Sequence, residues 1–240
     1  MNLIDKTVAM IEPVDKSAAV SAQIRLDSLT KPPGSLGVLE STAVKLAAVQ
    51  GSALPRLDKK VVLVMAGDHG VVEEGVSAYP QEVTFQMVQN FLNQGAAVNV
   101  LSNHAGAKVV VCDIGVKGPV VAHPRLRVRR IREGTRNMAR EAAMTMEETV
   151  SAVEAGIELV TEEIEAGASI VATGEMGIGN TTPSSAILAA FLSNDLDEIT
   201  GRGTGLDNFG LARKKQIISQ ALEVNKPDPA CPLDVLSKVG

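Results

Sequence analysis

Between residues 173 and 183 the chain reads Thr-Gly-Glu-Met-Gly-Ile-Gly-Asn-Thr-Thr-Pro. Gly174, Gly177 and Gly179 free the backbone to turn its N–H groups toward one point, and Asn180, Thr181 and Thr182 add polar side chains. A helix predicted to follow contributes about half a positive charge at its start, so the stretch is suited to an anion, and a single phosphate fits it best. No Gly-Lys-Ser/Thr follows and the spacing is not GxGxxG, which argues against ATP and NAD. The structural alternative is a tight turn capped by threonines.

A second glycine cluster, Gly201-Arg-Gly-Thr-Gly-Leu-Asp-Asn208, also opens a predicted helix, which carries Arg213, Lys214 and Lys215 one to two turns in. Two such loops could embrace one phosphoribosyl group; taken singly, they read as a flexible connection and a solvated helix face. Asp68-His69 closes an apolar run, where active-site residues of parallel sheets sit. A metal reading draws little support, because His69, His104 and His123 form neither HExxH nor an i,i+4 pair. Asp68 is instead expected to cap or orient the loop that runs to Tyr79, one wall of a pocket. In Arg125-Leu-Arg-Val-Arg-Arg-Ile-Arg132 the alternation with Leu126, Val128 and Ile131 fits an edge strand or extended loop with its charges outward.

The elements that must hold these groups alternate in character. Residues 1–50 read as helical, with a built turn at Thr30-Lys-Pro-Pro-Gly-Ser-Leu-Gly37, where two prolines forbid helix and two glycines permit unusual backbone angles. Continuous apolar runs at Lys60–Gly67, Ala107–Gly115 and Gly167–Thr173 predict strands buried on both faces. Helices are expected at 80–92, at 96–103 and from a capping box at Thr145-Met-Glu-Glu148 to about Ala166. Another should open with Thr182 as cap and Pro183 as first helical residue. Asp234 reads as the cap of a last helix, within which the sequence ends. This order predicts a parallel sheet covered by helices, with ligands at the carboxyl ends of the strands.

Composition narrows the classes. Of 240 residues, 45% are hydrophobic, and 28 acids against 23 bases leave a charge of −5, which excludes a disordered chain and a polyanion-binding surface. With no Trp, one Tyr and four Phe, stacking platforms for nucleic acid are lacking. No apolar run approaches the roughly eighteen residues of a membrane span, and Met1-Asn-Leu-Ile-Asp-Lys is not an export signal, so a cytoplasmic protein is expected. Cys112 and Cys231 provide no disulfide framework.

Six blocks taken in order are recognisable: Thr30–Gly37, Ala66-Gly-Asp-His-Gly-Val72, Gly75-Val-Ser-Ala-Tyr-Pro80, Gly134-Thr-Arg-Asn-Met138, Gly174–Thr182 and Gly201–Gly205. Together, from about Ser17 onward, the chain closely resembles the nicotinate-nucleotide:dimethylbenzimidazole phosphoribosyltransferases of cobalamin lower-ligand assembly. The resemblance implies an α/β fold, a Rossmann-like parallel sheet at 51–240, with a small helical domain to which residues 1–50 contribute, assembled as a homodimer. It implies exchange of nicotinate for 5,6-dimethylbenzimidazole on nicotinate mononucleotide with inversion, giving α-ribazole 5′-phosphate, with no cofactor and no metal. By motif match, Gly177, Gly179, Asn180, Thr181 and Lys214 hold the phosphate, Ser77, Gln86 and Met176 line the benzimidazole slot, and Glu175 sits beside the reacting atoms. The family's principal base is a glutamate of a C-terminal portion beyond residue 240, so the C-terminal part is expected to be missing here. The alternative to the transferase is therefore a truncated phosphate- or nucleotide-binding module of the same family with weak turnover.

Overall fold

The structure, a computed structural model, describes residues 2–120, 122–192 and 195–240. It divides into two compact units, one ending at Asp58 and one running from Lys59 to Gly240.

The first unit contains α1 (Leu3–Ala9), α2 (Lys16–Asp27) and α3 (Val38–Gln50). The Asp15 carboxylate starts α2 by accepting from the N–H groups of Ser17 and Ala18, donors that the first helical turn leaves without partners. Ala18 and Ala22 of α2 and Ala47 and Ala48 of α3 are buried, and their small side chains let the two helices approach closely. The Thr30–Gly37 segment is the built turn its sequence predicts: Gly34 and Gly37 adopt φ of 74° and 55°. Glu40 secures it, accepting from Lys31 Nζ at 2.7 Å and from the Leu36 N–H at 3.1 Å.

The second unit is built on β1 (Lys60–Gly67), β2 (Ala107–Gly115), β3 (Leu126–Val128) and β4 (Ile170–Met176). All neighbours are parallel, in the order β3-β2-β1-β4. Alternate residues serve the two faces, which is why β1 and β2 read as unbroken apolar runs. Val64, Ala66 and Val111 pack with Val88, Phe91 and Leu92 of α4 (Glu82–Leu92) and with Ala96, which precedes α5 (Ala97–Ala105). Val61, Leu63, Val110 and Cys112 pack with Leu159 of α6 (Met146–Glu165) on the opposite face. A third cluster joins α7 (Thr181–Leu192), α9 (Asn208–Asn225) and α10 (Pro232–Val239) through Ala186, Ile218, Ala221, Val235 and Val239. The short α8 (Leu196–Ile199) lies between α7 and α9. Among the described residues no helix is long and apolar enough to cross a membrane.

The capping box of α6 is present in full: Glu148 N–H donates to Thr145 Oγ1 at 3.1 Å and Thr145 N–H to Glu148 Oε2 at 2.7 Å. Other boundaries differ from their sequence readings. β4 runs from Ile170 to Met176, three residues further than its apolar run suggested, because pairing with β1 carries Gly174, Glu175 and Met176 into the ladder. α7 starts at Thr181, so Thr182 and Pro183 lie inside its first turn and are buried. Cys231, not Asp234, stands at the cap of α10, with Pro232 in its first turn. The Asp234 carboxylate instead accepts from the Asp228 N–H at 2.8 Å and pairs with Lys238 at 2.9 Å.

The Arg125–Arg132 run also departs from a purely outward set. Only Leu126–Val128 forms strand, and Arg130 turns inward to pair with the buried Asp113 at 2.7 Å, whose other oxygen accepts from the Val116 N–H.

α10 is eight residues long, too short to persist alone in water, and is held by burial. Val235 and Val239 have no exposed surface, and the carbonyls of Ser237 and Lys238 accept from the N–H groups of Met144 and Ala143. Val235→Ala is expected to cost about 2–3 kcal/mol from lost burial and the cavity left behind. Urea unfolding should show this as a lower midpoint at unchanged slope, while Val8→Ala at an exposed position leaves the midpoint in place.

Candidate functional site

β1 sends its connections to β2 on one side, and β4 returns to the other, so the strand order reverses between β1 and β4. Ligand crevices of open parallel sheets form outside the carboxyl ends at such a reversal. Here those ends carry Gly67-Asp68-His69 and Glu175-Met176-Gly177. The β1–β2 register slips between Ala66 and Gly67, a bulge that re-aims the end of β1.

Asp68 organises the surrounding loops. Its N–H donates to the Gly115 carbonyl at 3.0 Å, its Oδ2 accepts from the Lys117 N–H at 2.7 Å, and its carbonyl accepts from the Thr135 N–H at 2.9 Å. It therefore orients the 115–117 and 134–135 segments rather than the loop to Tyr79. Burial pushes its carboxyl pKa up, and the Lys117 N–H acts against that shift. Burial also lowers His69 to about 4, so its imidazole is neutral at physiological pH. Among the described residues no three His, Cys, Asp or Glu side chains converge as a metal site.

The Gly174–Thr182 loop lies close against this end of β1. A Cβ on Gly177 would fall 2.2 Å from the Gly67 carbonyl oxygen, so only glycine permits the approach. Beyond it, Thr181 begins α7, and there the two glycine loops meet. Lys214 Nζ donates to Thr181 Oγ1 at 2.6 Å and to the Gly201 carbonyl at 3.2 Å. Gly203, at φ 53°, lies so near that a Cβ would be 2.8 Å from Thr181 Oγ1 and 3.3 Å from Nζ. Lys214 is 0% exposed, which overturns its reading as part of a solvated face. Burial depresses its ammonium pKa, and among the described residues no carboxylate lies within ion-pair distance. A buried ammonium facing a helix start, a hydroxyl and a flexible glycine loop is the electrostatic complement of an anion.

Glu175 pairs in register with Met65, and its carboxylate accepts from Asn180 Nδ2. Partial withdrawal from solvent raises its pKa, and the Asn180 contact opposes the rise. It stands at a cleft of about 230 Å³ walled by Met65, Ile114, Ile131, Met144, Ala152 and Met176, with Asp68, His69 and Gly240 also on its lining. A flat apolar ring suits such walls, methionine sulfur being adaptable against aromatics.

The sequence-predicted residues thus fall into linked groups. Thr181 and Lys214 meet at the junction of the two loops, Gly177 and Gly179 of the first loop lie against Gly67 and Val72, and Asn180 links that loop to Glu175 at the cleft. Ser77 lies on neither, bonding instead to Thr204 Oγ1 at 3.1 Å. Gln86 is an exposed residue of α4 and is not among the residues lining the cleft.

A family model described as a phosphoribosyltransferase matches residues 11–240. Nicotinate-nucleotide–dimethylbenzimidazole phosphoribosyltransferases of Geobacter sp. strain M21 and Desulforamulus reducens are 53% and 56% identical to the chain, covering 100% of it and 69% of their own length. A crystal structure of CobT from Thermus thermophilus superposes with TM-score 0.89 at 48% identity, over 93% of this chain and 67% of that one. The chain belongs to this phosphoribosyltransferase family. It spans about two thirds of the length of these relatives.

For this member of the phosphoribosyltransferases, two features escaped sequence reasoning. Thr204 as a bridge had a weak signal, its place inside the Gly201–Gly205 block. The cleft walls had none, because Met65, Ile114 and Met144 come from separate elements. If Lys214 is an anion ligand and not a structural group, Lys214→Met should leave ligand-free stability unchanged or higher while weakening ribose 5-phosphate binding about 10–150-fold, the range for a charge-assisted hydrogen bond. Calorimetric titration beside thermal unfolding checks both halves.

Proposed function

We propose that the chain transfers the 5-phosphoribosyl group of nicotinate mononucleotide to 5,6-dimethylbenzimidazole, releasing nicotinate and forming α-ribazole 5′-phosphate. The observation that carries this reading is the buried, uncompensated Lys214 ammonium where two glycine loops meet at the strand-order reversal. The kinship to named transferases supplies the substrates.

In this reading Gly177, Gly179, Asn180, Thr181 and Lys214 hold the 5′-phosphate, so the ribose is anchored and its anomeric carbon directed toward the ends of β1 and β4. The glycosidic C–N bond breaks with its electron pair moving to the pyridinium nitrogen, which leaves as neutral pyridine. The bond to the benzimidazole nitrogen forms on the opposite face of the sugar, inverting C1′. The other ring nitrogen then loses its proton. Met176 on the cleft wall meets the incoming ring in this reading, and Ser77 and Gln86, which lie outside that cleft, are proposed to approach the ring from their own loop and from α4. Glu175, beside the reacting atoms, stabilises the cationic sugar and can take that proton. Its pKa, raised by partial burial, makes the carboxylate a stronger proton acceptor than a solvated one.

The reading includes a cytoplasmic homodimer in which residues 1–50 belong to a small helical domain. Exposed Val20, Ile24, Val38 and Leu39 on α2 and α3 support an assembly that covers apolar surface. Equilibrium sedimentation tests it: a monomer at micromolar concentration would remove the dimer from the reading.

Chromatographic assay of the chain with both substrates should detect α-ribazole 5′-phosphate; ribotide binding without product would leave a binding module and end the transferase reading. Glu175→Gln should lower kcat about 10²–10⁴-fold, the span of general acid–base contributions, with nicotinate mononucleotide affinity little changed. Because the raised pKa keeps Glu175 protonated at low pH, the wild-type rate should climb as pH rises through a value above the usual carboxylate range. That limb should be absent in Glu175→Gln, and an unchanged rate and profile would take Glu175 out of the chemistry.

A further inference from the structure

Two loops 126 residues apart in sequence are tied by one hydroxyl. Thr204 Oγ1 accepts from the Ala78 N–H at 3.0 Å and shares a hydrogen bond with Ser77 Oγ at 3.1 Å, and Ser77 Oγ accepts from the Tyr79 N–H at 3.2 Å. The neighbouring residue, Gly203, lies against Thr181 Oγ1 and Lys214 Nζ. Two consecutive residues therefore touch different places, Gly203 the anion cradle and Thr204 the Ser77 loop.

We propose that Thr204 is a positioning residue that couples the two substrate subsites: filling the phosphate cradle orders the Ser77 loop and raises affinity for the azole. The inference rests on the reading above, in which Lys214 and Thr181 hold phosphate and Ser77 faces the incoming ring. Residues 201–205 are exposed and include two glycines at positive φ, Gly203 at 53° and Gly205 at 98°, so a contact at Gly203 restricts the backbone that carries Thr204. A phosphate joined to Lys214 and Thr181 immobilises the Gly201–Gly203 arm. Thr204 is then held, and with it the Ala78 amide and the Ser77 hydroxyl. The entropy of ordering is spent on the first ligand, and the second meets a loop already in place. Linkage requires the effect to be reciprocal, with azole tightening phosphate by the same factor.

Ribose 5-phosphate has no leaving base and fills the cradle without turnover, which makes it the probe. Titration calorimetry on the 240-residue chain measures the dissociation constant of 5,6-dimethylbenzimidazole with and without saturating ribose 5-phosphate, and the reciprocal pair. The wild type should show tightening of about 5-fold or more in both directions, the lower end of ordinary coupling. Thr204→Val should bring the factor to about 1 while each ligand alone binds within about 3-fold of wild type, and Thr204→Ser, which keeps the hydroxyl, should retain the coupling. Hydrogen exchange at residues 75–80 should slow with ribose 5-phosphate in the wild type and not in Thr204→Val.

Coupling that persists in Thr204→Val overturns the proposal, as does a wild type that binds both ligands independently. Loss of each single affinity in both Thr204 variants would mark a purely structural residue and also overturns it. A wild type that binds neither probe is a different failure: it removes the functional reading itself, and the coupling with it.

Discussion

The rest of the second unit is arranged around an ammonium kept out of water, with no carboxylate among the described residues to answer it. Lys214 shares one face of α9 with Ile217, Ile218 and Ala221, all buried, so the spacing that seats the helix in the apolar cluster drives the lysine inward as well. Withdrawing a charge from water is costly, and Thr181 Oγ1 and the Gly201 carbonyl offset only part of that cost. The fold holds this unfavourable arrangement through the packing of α7, α9 and α10. In the proposed function a bound phosphate relieves it, so that stability is traded for a prepared electrostatic site.

The placement of that site follows from sheet topology. With the order β3-β2-β1-β4, the strand order reverses between β1 and β4, and residues at the carboxyl ends of both strands line the cleft. Gly177 lets the two chains touch, Asp68 ties the 115–117 and 134–135 segments to the end of β1, and Glu175 is carried to the rim by the last rungs of the β1–β4 ladder. Chemistry on this scaffold depends on strand ends held in place differently: β1 and β2 are buried upstream, whereas β4, none of whose residues is buried, is held by its parallel pairing with β1.

Much of the scaffold was legible in the residues. The apolar runs at β1 and β2, the Thr145–Glu148 capping box and the Pro-Pro-Gly turn are local statements, since each depends on neighbours a few positions away and survives without knowledge of the fold. The misreadings came where distant contacts override local preference. β4 extends because β1 offers it partners, Asp234 gives up a cap to bond Asp228 and Lys238, and Arg130 leaves its outward row to answer a buried Asp113.

The amino-acid sequence by itself determined the parallel α/β class, the positions of both glycine loops and the residue types able to hold a phosphate, because periodicity, glycine and capping chemistry act over short spans. Only the tertiary structure decided that Lys214 is buried rather than solvated, that Asp68 governs the 115–117 and 134–135 segments, and that Thr204 reaches Ser77. Those outcomes depend on which surfaces lose water when α7, α9 and the strand ends come together. Desolvation is a property of the packed whole, and no local stretch of sequence carries it.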